Sequence, residues 1–287
     1  LKEFDSSTLK KKTLSIFEKI RDGQSSSFNL PEAQDLMADL LCTKIKADNS
    51  QKSDLKAVIC DRVSKTEHTV GFSIKSMIGA SATLLNAGKT TNFIFEITGL
   101  DHSHVGNINA IETGSKIQDR VAAIKEVGGS FEFKEVANKN FEANLKKVDT
   151  IFPEFVAKMV FDYYSGRARK VTELLEILSE DEYLNGKYGL SLSDYEFKMK
   201  NFLIATALGM VPGTIWDGFI RTEGGYIVVK KGGDLVCYHL YNREDFLQYL
   251  LNNTRFESAG TGKHGYGELY ANKEKLFFNL NLQIRFT

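Results

Sequence analysis

Apolar residues recur along the chain with two different periods. Between Thr8 and Arg21, Leu9, Leu14, Ile16, Phe17 and Ile20 fall at roughly helical spacing, and after a Gly/Ser-rich turn Pro31 opens a second helical stretch, PEAQDLMADLL. From Asp54 the period shortens, and DLKAVIC, HTVGFSIK and, past a Gly- and Thr-containing stretch, TNFIFEI read as strands. Helical spacing returns from about Asn107 to Met210 in IQDRVAAIKEV, FPEFVAKMVFDYY, VTELLEIL and YEFKMKNFLIATALGM. Strand patterns resume in GGYIVVK, DLVCYHLY, ELYA and KLFFNLNLQIRF, around turns at Gly232-Gly233 and Asn272-Lys273, with one helix, REDFLQYLLNN, among them. This order predicts an α+β fold, a mixed sheet flanked by helices, in a single domain over 1–287: a first sheet in about 30–130, a helical middle in about 131–215 and a strand-rich part in about 216–287.

Composition refines the picture only in places. Lys plus Arg and Asp plus Glu number 37 each, so no global field draws the protein to a polyanion. That counts against a protein that coats nucleic acid, but not against one that gathers its cations on a single face. Cys42, Cys60 and Cys237 offer neither a disulfide framework nor a C-x-x-C pair, and are expected to be buried thiols in a reducing cytoplasm. No apolar run reaches the length of a membrane span, so no membrane partner is expected. The chain opens on Leu1 rather than Met, which suggests that the native N-terminus lies upstream.

The most informative stretch is SDLKAVIC followed by GFSIKS. Paired as a hairpin about Ser64 and Lys65, these strands are expected to place Asp54 across from Lys75, with Ser73 and Lys75 on one face and Phe72 and Ile74 on the other, against helices. Two interpretations fit that spacing. One is a cross-strand ion pair on a solvated face. The other is metal-assisted phosphodiester hydrolysis, which needs a carboxylate to hold a divalent cation and a second group to orient the attacking water.

Longer strings bear on the choice. LLCTKIKADNSQKSDLKAVICD, GFSIKSMIGASATLLNAGKTTNFIFEI, CYHLYNREDFLQYLLNNTRFESAGTGKHGYG and LNLQIRF together resemble the HpaII-type restriction endonucleases, within the PD-(D/E)xK nuclease superfamily. The likeness runs from about Leu40 to the C-terminus and is strongest between Asp54 and Ile97 and from Gly224 on. It implies a restriction-endonuclease-like fold and a Mg²⁺-dependent type II enzyme of a bacterial restriction-modification system. Such an enzyme cuts double-stranded DNA, with CCGG as the target of the family's namesake. It would act in the cytoplasm, as a homodimer, beside a companion DNA methyltransferase. By the same resemblance Asp54 is the metal-binding acid, the Ile74 backbone carbonyl a second metal ligand and Lys75 the catalytic lysine. Ser73 departs from the pattern, because the position two before the lysine is usually an acid. The second metal carboxylate is then sought at Glu32, Asp35 or Glu96, with Glu32 favoured because the preceding core helix supplies such an acid in some members. The missing acid also encourages a rival, an inactive DNA-binding or assembly protein that retains the fold.

Other motifs are weaker. TLLNAGKT nearly spells a phosphate-binding loop, but Thr83 replaces its first glycine and the segment leads into a strand instead of a helix. Thr83, Asn86, Lys89 and Thr90 are better suited to DNA contact. Arg255, Lys263 and His264, in the Gly-rich TRFESAGTGKHGYG, are further DNA-contact candidates within a C-terminal part expected to grip DNA. His102 with His104, and Cys237 with His239, lack the further ligands of a zinc site if they share strand faces. Tyr163, Tyr164, Phe197 and Phe202 are expected in the core instead of a base-stacking platform.

Overall fold

The helical spacing near the N-terminus becomes two paired helices, α1 (Ser6–Asp22) and α2 (Pro31–Asp39). Pro31 sits in the first turn of α2, where its missing N–H leaves no helical bond unmade. The computed structural model describes residues 5–22, 30–40, 42, 53–60, 63–76, 81–219, 225–230, 232, 234–238, 243–260 and 264–287. The three early strand patterns are β1 (Leu55–Cys60), β2 (Glu67–Ser76) and β4 (Asn92–Thr98), with a short β3 (Thr83–Leu85) between the last two. The near-match to a phosphate loop forms a single 3-10 turn at Lys89–Thr91 and runs straight into β4, so no helix N-terminus faces it.

The middle of the chain is helical, with one strand inside it. Helices α3 (His104–Asn109) and α4 (Lys116–Glu126) precede β5 (Ser130–Val136). There follow α5 (Lys139–Val148), α6 (Phe152–Tyr164), α7 (Val171–Ser179), α8 (Glu182–Tyr188) and α9 (Leu192–Leu208). The C-terminal part gives β6 (Gly225–Val229), β7 (Leu235–Tyr238), α10 (Arg243–Asn252), β8 (Thr254–Phe256), β9 (Leu269–Asn272), β10 (Lys275–Asn281) and β11 (Ile284–Phe286).

Three sheets result, in the orders β1-β2-β6-β7, β5-β4-β10-β9 and β3-β11-β8. The first is mixed, because β2 pairs with β6 in parallel while its other pairs are antiparallel. Two sequence expectations are corrected here. The sheet carrying Asp54 and Lys75 is not contained in 30–130 but takes β6 and β7 from the C-terminal part, and the TNFIFEI strand belongs to a different sheet. Strand pairing is non-local, so one-dimensional periodicity locates strands without naming their neighbours.

The core lies between the second sheet and the helices. Alternation along β4 sends Phe93, Phe95 and Ile97 inward, where Phe95 and Phe131 meet Phe161 of α6 at ring separations of 6.0 and 5.0 Å. Tyr163, Tyr164 and Phe202 are buried as expected, but Phe197 is 67% exposed. The buried residues of α9 (Tyr195, Met199, Phe202) follow a 4-3 step that turns Phe197 to solvent. The expectation of buried cysteines also fails at Cys42 and Cys60, which are both exposed. His104 begins α3 instead of sharing a strand face with His102, and His239 lies outside the described residues.

Two buried polar groups fix loops that matter below. Asn281 donates through Nδ2 to Gly88 O at 2.8 Å and Asn92 Oδ1 at 2.6 Å, tying down the turn that carries Lys89. Arg120, 2% exposed, donates to Gly267 O at 2.5 Å, Asn109 O at 2.6 Å and Glu112 Oε1 at 2.9 Å, anchoring one end of the Gly-rich segment to α4. Arg120→Ala strands these carbonyls and the acid, and is expected to cost about 3 to 5 kcal/mol, read from the denaturant midpoint at unchanged m.

Candidate active site

Asp54 stands immediately before β1. Its amide donates to Phe72 O at 2.8 Å, which continues the β1–β2 ladder by one bond. Leu55 lies opposite Phe72, so Asp54 faces Ser73 and not Lys75, a register two residues away from the one expected. The turn takes more residues than a tight hairpin, with Cys60 opposite Glu67 and Lys65 at a φ of 57°. An even shift keeps Asp54 on the face that Ser73 and Lys75 share. That face is the inner one. Ser73 is 1% exposed and Ile74 is 38% exposed, the reverse of the expected packing of Ile74 against helices.

The shifted register makes a specific contact. Asp54 Oδ2 accepts the Ile74 N–H at 2.7 Å and the Ser73 hydroxyl at 3.2 Å, while Oδ1 has no hydrogen bond with a described residue. The carboxylate thus occupies the place of a strand partner where β1 ends. The N–H and C=O of one strand residue point to the same edge, so the Ile74 carbonyl leaves β2 beside Asp54.

Lys75 is half-buried and has no hydrogen-bond or ion-pair partner among the described residues. Burial holds its ammonium below the ordinary lysine value of 10.5, and the charge of Asp54 pulls the other way. A partnerless cation shielded from water is costly as structure and useful as a group waiting for an anion.

Sequence reasoning missed Tyr226. Parallel pairing sets it beside Ser73, it is fully buried, and its hydroxyl has no hydrogen-bond partner among the described residues. Burial, and then the charge of Asp54, hold its phenol well above the usual value. GGYIVVK was legible as a strand, but nothing local marks it as the neighbour of β2.

The remaining candidates separate. Glu96 lies on the second sheet between Lys134 at 3.0 Å and Lys275 at 2.6 Å, which explains it as a surface ion pair. Glu32 is ion-paired with Lys19, joining α2 to α1, and Asp35 acts electrostatically on Lys12 of α1. Among the described residues no three potential metal-ligating side chains come together. Asn86 and Lys89 are exposed and Thr90 is half-buried near the anchored turn, while Thr83 lies on β3. Arg255 is on β8 instead of a free loop and is paired with Glu257. The His264 carbonyl accepts from Asn92 Nδ2 at 2.9 Å, and Lys263 lies outside the described residues.

An α+β fold with a mixed sheet, and an aspartate and a half-buried lysine on neighbouring strands of it, matches the restriction-endonuclease-like class. The family model described as HpaII restriction endonuclease matches residues 2–286. The Type II restriction enzyme HpaII of Haemophilus parainfluenzae is 37% identical over 281 residues, covering 98% of this chain and 78% of that enzyme. No solved structure matches. The chain belongs to the HpaII restriction endonuclease family, and it is a site-specific, DNA-cutting hydrolase of type II.

Because the Lys75 ammonium is half-buried without a partner among the described residues, Lys75→Met is expected to melt at or above the wild-type temperature while losing cleavage. Calorimetry with a plasmid assay checks this, and a loss of several degrees would mark the lysine as structural.

Proposed function

We propose that the protein hydrolyses both strands of duplex DNA at CCGG with Mg²⁺, by in-line attack of water that leaves a 5′-phosphate. The observation that carries this reading is the free Oδ1 of Asp54, with the Ile74 backbone at its side and the unpaired Lys75 on the next strand. Asp54 and the Ile74 carbonyl are hard oxygen donors of the kind Mg²⁺ takes in small number, keeping water and substrate phosphate for its other positions. The bound cation would neutralise charge developing on the phosphate. Ser73 and the Ile74 amide fix the carboxylate, so it needs no rearrangement to act. Lys75 orients the attacking water and stabilises the negative charge that grows on the phosphorane-like centre.

Glu32 has a partner already and is left out of this minimal set. Glu32→Ala should therefore cut at the wild-type rate, and a selective loss of cleavage would show that it leaves Lys19 to serve as the second carboxylate. Duplex DNA would be met by Asn86, Lys89 and Thr90 on one side and by Arg255, Lys263 and His264 on the other. A palindromic target suits two copies of the chain related by a two-fold axis. In the bacterial cytoplasm a companion methyltransferase would have to protect the host's own sites. The described residues contain no helix long and apolar enough to cross a membrane.

Single-turnover cleavage of a CCGG duplex should require Mg²⁺ or Mn²⁺, stop in excess EDTA, and fall by about 100-fold or more in Asp54→Asn and Lys75→Ala. Binding in Ca²⁺ should survive both changes. Ser73 in place of an acid favours the rival of a binder without chemistry, and undetectable cleavage with intact specific binding would establish it. The pH profile gives an independent check, since the acting form of Lys75 is the ammonium and its value lies below 10.5. Cleavage should decline as pH rises through that lowered value, before a free lysine would titrate, and the decline should vanish in Lys75→Arg.

A further inference from the structure

Arg285 lies in the last strand, between two segments already offered to DNA. It is paired with Thr83 of β3 on one side and with Arg255 of β8 on the other. Lys170 bridges to Arg255 beyond that, so Lys170, Arg255, Arg285 and Thr83 stand in one row across the strands. Like charges directly opposite one another on neighbouring strands destabilise a sheet. Glu257 offsets the central pair: its Oε2 accepts from Arg255 Nε at 3.2 Å and Nη2 at 2.9 Å, and its Oε1 lies 3.5 Å from Arg285 Nη1. All three side chains are about one-quarter exposed, so the charges are neither fully solvated nor sealed away.

The two guanidiniums are not equivalent. Arg255 commits Nε and Nη2 to the acid. Arg285 commits only Nη1, shared between Glu257 and Ser81 O at 3.5 Å, and its buried Nε has no partner. A network built only for stability would satisfy the second fork as well as the first. Glu257 also lines a cavity of about 680 Å³ bounded by Ser115, Lys116, Gln118, Arg169 and Ser258. The Arg169 guanidinium there has no hydrogen-bond or ion-pair partner among the described residues. Phe286, next to Arg285, packs against Tyr226 at 6.2 Å, and Tyr226 adjoins Ser73 of the active site. Through Phe286 and Tyr226 the strand therefore packs against the sheet that carries Ser73, with the Arg285 side chain on its other face.

We propose that Arg285, held in place by Glu257 and Arg255, reads a guanine edge of the target duplex, and that Arg169 contacts a phosphate of the same duplex in the adjoining cavity. The proposal rests on the nuclease reading and deepens it. Arginine presents the planar fork that matches guanine O6 and N7, which lysine cannot copy, whereas a phosphate contact needs mainly charge.

The test uses Arg285→Lys, Arg169→Gln and the wild-type protein in Ca²⁺, with the target duplex, an unrelated duplex, and target duplexes carrying 7-deazaguanine at one position at a time. Wild type should lose about 10- to 100-fold in affinity for one 7-deaza position. Arg285→Lys should lose a similar factor on the unmodified target, none on unrelated DNA, and nothing more on that 7-deaza duplex. Arg169→Gln should weaken both duplexes alike and lower the salt slope by about one. The base-reading role is overturned if Arg285→Lys weakens target and unrelated DNA equally, or discriminates 7-deazaguanine as wild type does. Should the variants not fold, indifference of wild type to 7-deazaguanine at every position overturns it. A wild-type protein that prefers no sequence removes the nuclease reading itself, a result distinct from specific binding that ignores the substitution.

Discussion

A parallel pair of strands cannot be closed by a hairpin, and the β2–β6 pair therefore governs the molecule. Everything between Ser76 and Gly225 has to leave the edge of β2 and return to it. That excursion holds the whole second sheet but its last two strands, and seven of the described helices. It also brings Tyr226 beside Ser73 and fixes which side of β2 remains for β1. With β6 on one edge, β1 must take the other, and Asp54 then meets the Ile74 amide where the ladder runs out.

Charge follows the same logic of placement. The chain carries equal numbers of acids and bases, and many of them cancel locally, as Glu96 does with Lys134 and Lys275 or Glu154 with Lys187. Two cations stand out against this cancellation: Lys75, half-buried near the carboxylate of Asp54, and Arg169, on the wall of the cavity that Glu257 also lines. A neutral protein can thus present a local positive surface to phosphates without the non-specific stickiness of a basic one. Anchoring is as local as the charge. Asn281 and Arg120 are buried to hold loops by their carbonyls, so the groups those loops carry are set in place by the fold itself.

The sequence by itself determined most of the element types and marked Asp54 and Lys75 as the candidate pair. Period-two alternation in NFIFEIT and period-four spacing in α9 are local properties, and each survived folding because one face of each element had to be buried. Asp54 and Lys75 were legible because a short string carried both strands and the likeness to a family of nucleases. Only the tertiary structure decided the rest. It set the register that put Asp54 opposite Ser73, the inward turn of the Ser73 face, the pairing of Glu32 with Lys19, and the meeting of Arg285 with Arg255 and Glu257. A register shift of two residues leaves every hydrophobic pattern unchanged, and strands distant in sequence carry no local mark of their neighbours. Such choices are settled by which side chains can be buried and neutralised together, and that is a property of the assembled fold.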